Sequence, residues 1–196
     1  MKTPTQMNRL SPSSAGIVLD WHTVGSQIVG QNEFGHPIFD NQRSEIGELL
    51  YQFKYRHNQD ALAGILQASI EYLGKAGKGK FDLIVPVPPS NSVRTVTNQI
   101  AQGLAAGIGT GFSASALTKC KNTSELKSVS DLEQRKAILS GAFKADKQQL
   151  EGKAVLLVDD LYRSGATLEA ATEAVVTDGS ASEVYVLAIT RTRVHR

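Results

Sequence analysis

The fold is decided by residues 155–167, which read Val155-Leu156-Leu157-Val158-Asp159-Asp160-Leu161-Tyr162-Arg163-Ser164-Gly165-Ala166-Thr167. The opening aliphatic run is typical of a parallel strand that is buried on both faces. Two adjacent carboxylates follow, and a short loop then leads into residues 166–176, whose apolar spacing predicts a helix. Asp159 and Asp160 are therefore expected at the carboxyl end of a strand, the edge where ligands bind in open α/β sheets.

Strands and helices alternate along the rest of the chain. Further strands are predicted at three apolar runs, residues 81–87, 112–117 and 183–190. Other helices are predicted to begin at polar residues, namely Ser44, Asp60, Ser92 and Ser130, the last in a capping box with Glu133. Glycines are expected to end the third of these helices: Gly103, Gly107, Gly109 and Gly111. This alternation predicts an α/β fold with a mostly parallel sheet flanked by helices.

The chain divides into three expected segments. Residues 1–14 are rich in Pro, Ser and Thr, which predicts a mobile leader. Residues 15–43 carry short apolar stretches separated by Gly and Pro, which predicts a β-hairpin flap over residues 17–40. Residues 44–196 then form the main domain.

Composition excludes several classes of protein. The 196 residues include 21 Lys and Arg against 19 Asp and Glu, a net charge of +2, so a nucleic-acid backbone is not the expected partner. The single cysteine, Cys120, cannot form an intramolecular disulfide, and the N-terminus lacks a basic and then apolar signal, so we expect a cytoplasmic protein. Residues 95–118 carry no charge, but they are too polar to span a membrane.

The loop after the acidic pair has the chemistry of a phosphate site. Ser164 and Thr167 supply hydroxyls, Gly165 allows close approach of the backbone, and the helix start supplies amide donors with a positive dipole end. Adjacent carboxylates would repel an anion unless they bound something else. They suit the hydroxyls of a ribose, or a divalent cation held through those hydroxyls or water, so the pattern predicts a ribose phosphate ligand.

Simpler readings of the same residues exist. Asp159 or Asp160 could cap the helix, and Ser164-Gly165 could be an ordinary turn. Competing nucleotide motifs fit less well, because the chain contains no Gly-x-x-x-x-Gly-Lys-Ser/Thr loop. The glycines of residues 107–111 follow a predicted helix and precede a predicted strand, the reverse of the dinucleotide-binding order.

Residues 155–168 resemble the signature of type I phosphoribosyltransferases that binds 5-phosphoribosyl 1-pyrophosphate (PRPP), an apolar strand, two acidic residues and a small-residue loop. Other matches follow in the order seen in ComF-like phosphoribosyltransferases over about residues 44–192. They are Leu50 to Arg56, Ile84 to Pro88, Asn98-Gln99, Leu117 to Lys119, Arg135, Ser140 to Phe143 and Gly152-Lys153.

The resemblance implies a type I phosphoribosyltransferase fold and a Mg²⁺-dependent transfer of ribose 5-phosphate from PRPP to a nitrogenous base or amine, with release of pyrophosphate. Asp159 and Asp160 would meet the ribose hydroxyls as the catalytic pair, and Mg²⁺ would be held mainly through the substrate. The ribose and phosphate contacts would come from one loop: Tyr162, Arg163, Ser164, Gly165, Ala166 and Thr167. The pyrophosphate contacts would come from the backbone of a second: Val87, Pro88, Pro89 and Ser90.

The resemblance also implies a flexible hood near residues 113–140 that closes over the substrate and brings Lys119, Lys121 or Arg135 toward phosphate charge. Many relatives are dimers, so a homodimer is expected. An alternative to turnover is a PRPP- or nucleotide-binding accessory protein in DNA uptake or nucleotide-linked regulation.

Three features depart from the family pattern. Arg163 stands where a small residue is common, which adds a cation near the phosphate and could crowd it. The loop after Pro88 contains less Arg than relatives usually have. Residues 1–43 contain no cysteine, so the zinc module that begins many ComF-like proteins is not expected.

Other polar residues have two readings each. Cys120 is a reactive thiol between two lysines or an incidental one. Lys54 and Arg56 either complement a helix dipole or reach substrate phosphate. Two further groups are metal-site or nucleic-acid candidates that are more simply solvated surface: His22, Glu33, His36 and Asp40, and the tail residues Arg191, Arg193, His195 and Arg196.

Overall fold

A computed structural model describes residues 5–6, 14–76, 79–89, 96–121 and 132–192. The strands in chain order are β1 (Thr5–Gln6), β2 (Ser14–Trp21), β3 (Thr23–Gln31), β4 (Pro37–Arg43), β5 (Leu83–Pro86), β6 (Gly111–Phe112), β7 (Leu117–Lys119), β8 (Phe143–Ala145), β9 (Ala154–Tyr162) and β10 (Glu183–Arg191). The helices are α1 (Glu45–Arg56), α2 (Gln59–Ala76), α3 (Val96–Ile108), α4 (Leu132–Leu139), α5 (Lys147–Leu150) and α6 (Ala166–Thr177).

The described strands form one large sheet and two small ones. The large sheet has the order β1-β2-β10-β9-β5-β6, and every neighbouring pair in it is parallel except β1 with β2. The smaller sheets are the antiparallel pairs β3-β4 and β7-β8. This arrangement confirms the expected α/β fold with a mostly parallel sheet.

Alternate residues of β9 enter two separate apolar cores, one on each face of the sheet. Val155 and Leu157 pack with α6, β7 and β8, whereas Leu156 and Val158 pack with α1, α2 and α3. All four side chains are at most 1% exposed. Because consecutive strand residues point to opposite faces, the two residues that follow these, Asp159 and Asp160, continue the same alternation.

The first strand of the predicted flap belongs to the large sheet and not to a hairpin, so this part of the prediction is wrong. Residues 14–21 form β2, which pairs in parallel with β10 inside the large sheet, and Val18 and Leu19 are core residues. The hairpin is instead β3-β4, and its turn is closed by Asn32, whose side chain accepts the N–H groups of Phe34 and His36. Of the expected leader, Thr5 and Gln6 pair with β2 as β1. The remaining residues up to 13 lie outside the described ones.

Three helix and strand predictions also need correction. The expected strand over residues 112–117 is two strands, because the Ser113 hydroxyl accepts N–H groups from Ser115 and Ala116 and turns the chain between β6 and β7. Asn58, not Asp60, caps α2. Two of the glycines expected to end α3 lie inside it, close to α2: a Cβ at Gly107 would lie 2.3 Å from Ile70 Cδ1, so this glycine permits close helix packing.

The β3-β4 hairpin carries large apolar side chains that face solvent: Ile28, Val29, Phe34, Ile38 and Phe39. Ser44, which follows the hairpin, caps α1 as expected, because its hydroxyl accepts the Gly47 N–H at 3.0 Å. None of the helices in the described ranges is long and apolar enough to cross a bilayer.

Candidate functional site

The acidic pair lies inside β9 and not after it. Strand pairing with β10 includes Asp159, opposite Ala188, and continues beyond Asp160 as far as Tyr162, opposite Arg191. The loop that separates the strand from α6 is therefore shorter than the sequence predicts, and it consists of residues 163–165. The carboxylates thus sit on rigid backbone beside the loop.

Asp160 is held by a lysine from the helical layer that covers its face of the sheet. Lys54 Nζ, in the last turn of α1, lies 2.5 Å from Asp160 Oδ2, and the two side chains are only 16% and 18% exposed. The sequence left open whether Lys54 complements a helix dipole or reaches substrate phosphate. In the structure it lies in the last turn of α1, and its ammonium contacts the acidic pair.

Asp159 continues the opposite face of the strand, and the charges of Lys54 and then of Lys119 of β7 act on its carboxyl. Burial lowers the pKa of Lys119, and the negative charge of Asp159 partly offsets that effect. Loss of solvation, followed by the charge of Asp160, raises the pKa of Asp159 to about 8. The Asp160 N–H donates to Asp159 Oδ1 at 2.9 Å and lowers the pKa of Asp159, but by less than the first two effects raise it. Near neutral pH, Asp159 therefore carries a proton in the free protein.

The expected phosphate loop ends at Gly165, which has a φ of 86° and precedes the first residue of α6. Gly165 occupies the N-cap position and has no side chain that could accept the first amide N–H groups of α6, which are the groups that bind anions at helix starts. The Tyr162 ring lies across the glycine, because a Cβ at Gly165 would approach Tyr162 Oη to 3.0 Å. Ser164 and Thr167 are partly buried in the same turn, Ala166 is buried, and Arg163 is exposed.

The expected pyrophosphate loop offers fewer donors than the sequence suggests. The Val87 N–H already donates to Val158 O at 2.8 Å, and the two prolines that follow have no N–H. Ser90 lies outside the described residues. The described part of this loop, residues 87–89, therefore offers no free backbone N–H.

Of the expected hood residues, Lys119 is brought to the acidic pair. Lys121 is directed elsewhere, because its ammonium donates to Ser140 O at 2.6 Å. Arg135 belongs to α4, but its side chain is not among the described ones. The Ser130 cap and most of the polar hood stretch also fall outside the described residues.

The sequence did not predict that residues at the ends of β2 and β10 lie beside Asp160. The buried Thr190 hydroxyl donates to Asp160 O at 3.2 Å and lies 3.3 Å from His22 Nδ1. Burial, and then the charges of Arg43 and Lys54, lower the pKa of His22, so this imidazole is neutral near pH 7. The available sequence signal was the apolar run of residues 17–19. Only its interpretation as a core strand would have placed His22 at this edge of the sheet.

A metal ion would need several donor side chains close together. Within the described ranges, no three His, Cys, Asp or Glu side chains gather into a group that could hold an ion, so His22, Glu33, His36 and Asp40 form no such site. Asp159 and Asp160 supply oxygen donors that suit Mg²⁺, but one carries a proton and the other contacts Lys54. These residues fit an ion that arrives with substrate oxygens better than a resident ion.

Comparison with known protein families matches residues 52–191 to the phosphoribosyl transferase domain. The match covers well over half of the chain, which therefore belongs to the phosphoribosyltransferase family. This result confirms the resemblance to type I phosphoribosyltransferases and the enzyme class that it implied, whereas the ComF-like assignment stays a prediction. No curated protein matches the chain.

Comparison with solved structures finds proteins that are similar to this chain. Glutamine PRPP amidotransferase from B. subtilis, complexed with ADP and GMP, has a TM-score of 0.49 and 20% identity, over 80% of this chain and 34% of that one. The chain thus spans about a third of the amidotransferase. Adenine phosphoribosyltransferase from Saccharomyces cerevisiae has a TM-score of 0.47 and 18% identity, over 84% of this chain and 83% of that one.

Proposed function

We propose that this protein transfers the ribose 5-phosphate group of PRPP to a nitrogenous base or amine and releases pyrophosphate, as a ComF-like, Mg²⁺-dependent enzyme. The proposal rests on one observation: the acidic pair within β9 and the start of α6, with glycine at its N-cap, lie at the carboxyl edge of the sheet. The family match over residues 52–191 supports the same chemistry.

In the proposed reaction, the lone pair of the acceptor nitrogen forms a bond to the anomeric carbon. The bond from that carbon to the pyrophosphate oxygen breaks, and pyrophosphate leaves with the electron pair. The nitrogen then loses a proton to solvent. The transition state resembles an oxocarbenium ion, and no protein nucleophile takes part.

The described residues would contribute by binding and alignment. The first amides of α6, with Ser164, Gly165 and Thr167, would hold the 5-phosphate. Asp160 would accept a hydrogen bond from a ribose hydroxyl, and protonated Asp159 could donate one. Mg²⁺, held by substrate oxygens beside this pair, would neutralise the leaving pyrophosphate. Lys119 would add positive charge from the β7 side.

The alternative, binding without turnover, is favoured by a specific observation. Val87 has already used its N–H, and Pro88 and Pro89 have none, so the described part of the pyrophosphate loop lacks free backbone donors. A protein that grips ribose 5-phosphate but stabilises the leaving group poorly would suit regulation by nucleotides or an accessory role in DNA uptake.

Two measurements separate these functions. Isothermal titration with PRPP and Mg²⁺ should show binding in both cases, whereas pyrophosphate release with a panel of bases and amines should occur only in an enzyme. Asp159→Asn with Asp160→Asn should weaken PRPP binding in this titration, whereas Asp178→Asn, the same chemical change at the exposed far end of α6, should not. If neither binding nor release is detected, the proposal is wrong. A homodimer and a cytoplasmic location are part of the proposal and are tested by sedimentation and by fractionation of cells.

A further inference from the structure

The Lys54–Asp160 contact links two distant parts of the chain at the edge of the sheet. The 2.5 Å separation joins the last turn of α1 to β9, and both side chains are mostly buried. Exposed ion pairs contribute little because water screens them, whereas a mostly buried pair fixes both partners and is costly to break. The contact therefore controls both the position and the charge of Asp160.

Packing of α1 sets the place of Lys54. Ser44 fixes the start of the helix, and Leu50 and Phe53, which are 1% and 4% exposed, press it against the same face of the sheet as Val158. Lys54 follows Phe53 directly, and Asp160 follows Val158 by two residues on that face. The ammonium thus arrives at Asp160 as a consequence of core packing.

Charge balance explains what this contact does for a ligand. An unpaired carboxylate beside the start of α6 would repel the phosphate that this helix attracts. Lys54 cancels that charge and leaves the other oxygen of Asp160 available for a sugar hydroxyl. We propose that Lys54 is a positioning residue of the ribose phosphate site, which holds and neutralises Asp160 so that an anionic sugar can bind. This inference rests on the proposed function.

The test is isothermal titration of ribose 5-phosphate, without metal, into the full chain and four variants. Lys54→Met should weaken binding about tenfold or more, because it leaves Asp160 charged and unpaired. Lys54→Arg, which keeps the charge, should stay within about threefold of the parent. Lys147→Met is the matched control, because Lys147 pairs with Glu151 in an exposed contact at 3.2 Å, and it should not change binding.

The double variant Lys54→Met with Asp160→Asn separates charge balance from a purely structural role. It should bind ribose 5-phosphate more tightly than Lys54→Met alone, because the uncompensated carboxylate is gone. If Lys54→Met binds like the parent, or if the double variant shows no recovery, the inference is wrong while the proposed function stands. If Lys54→Met does not fold, Lys54→Arg replaces it in the test. A loss of ribose 5-phosphate binding above tenfold in Lys54→Arg would then contradict the inference. If the parent chain binds neither ribose 5-phosphate nor PRPP with Mg²⁺, the proposed function itself fails.

Discussion

Replacement of Gly165 by alanine tests the geometry of the loop that should hold the phosphate. The φ of 86° costs a residue with a Cβ about 1–2 kcal/mol. The new methyl would also lie 3.0, 3.1 and 3.3 Å from Tyr162 Oη, Cε2 and Cζ, and such crowding costs about a further 1–3 kcal/mol. We therefore expect Gly165→Ala to lower the free energy of unfolding by about 2–5 kcal/mol, measured by urea denaturation.

Gly152→Ala is the matched control for backbone strain. Gly152 has a φ of 72°, but a Cβ there would meet nothing within 4 Å, so this variant should lose only about 1–2 kcal/mol. In a Tyr162→Ala background, the cost of Gly165→Ala should fall to that of the control, because the ring is absent. Equal losses in the two single variants would refute the placement of the Tyr162 ring over the loop.

Four further predictions concern binding, pH and packing. Arg163→Ala should weaken ribose 5-phosphate by about 1–3 kcal/mol in titration calorimetry; tighter binding would mean that the exposed arginine crowds the phosphate. Asp159→Asn with Asp160→Asn should weaken PRPP by several kcal/mol at most without loss of the fold, as measured by calorimetry and circular dichroism. Asp159 has a pKa of about 8 in the folded protein against an ordinary 3.8, so between these pH values the folded state holds a proton that the unfolded state has lost. The free energy of unfolding should therefore fall as pH rises toward 8, and Asp159→Asn should flatten that decline in thermal melts between pH 5 and 8. Gly107→Ala should cost about 1–3 kcal/mol in urea denaturation, because its Cβ would lie 2.3 Å from Ile70, and Ile70→Val should recover part of the loss.

The order of the main elements could be predicted because their signals are local. Residues 155–158 are apolar without a break, and this pattern has few explanations other than a strand buried on both faces. The Ser44 cap and the helix after Gly165 also depend on neighbouring residues alone. The same strand pattern placed the acidic pair at its carboxyl end, and the family signature then implied a role for the pair.

Pairing between distant strands could not be predicted in the same way. Residues 17–19 have the same apolar pattern in a hairpin as in a core strand, and only their pairing with β10 decides between them. The positions of His22 and Thr190 at the site depend on this pairing, because His22 follows β2 and Thr190 lies in β10. The inner position of Gly107 likewise depends on how closely α2 and α3 approach each other, which is a tertiary property.

The alternation of β9 explains how two carboxylates can share an edge with a phosphate site. Their side chains continue the two faces of one strand. Lys54 of α1 pairs with Asp160, and the charges of Lys54 and then of Lys119 of β7 act on Asp159. One carboxylate is neutralised by an ion pair and the other holds a proton. The edge therefore presents hydrogen-bonding oxygens with little net negative charge, which is the condition for a sugar hydroxyl and a phosphate to bind side by side.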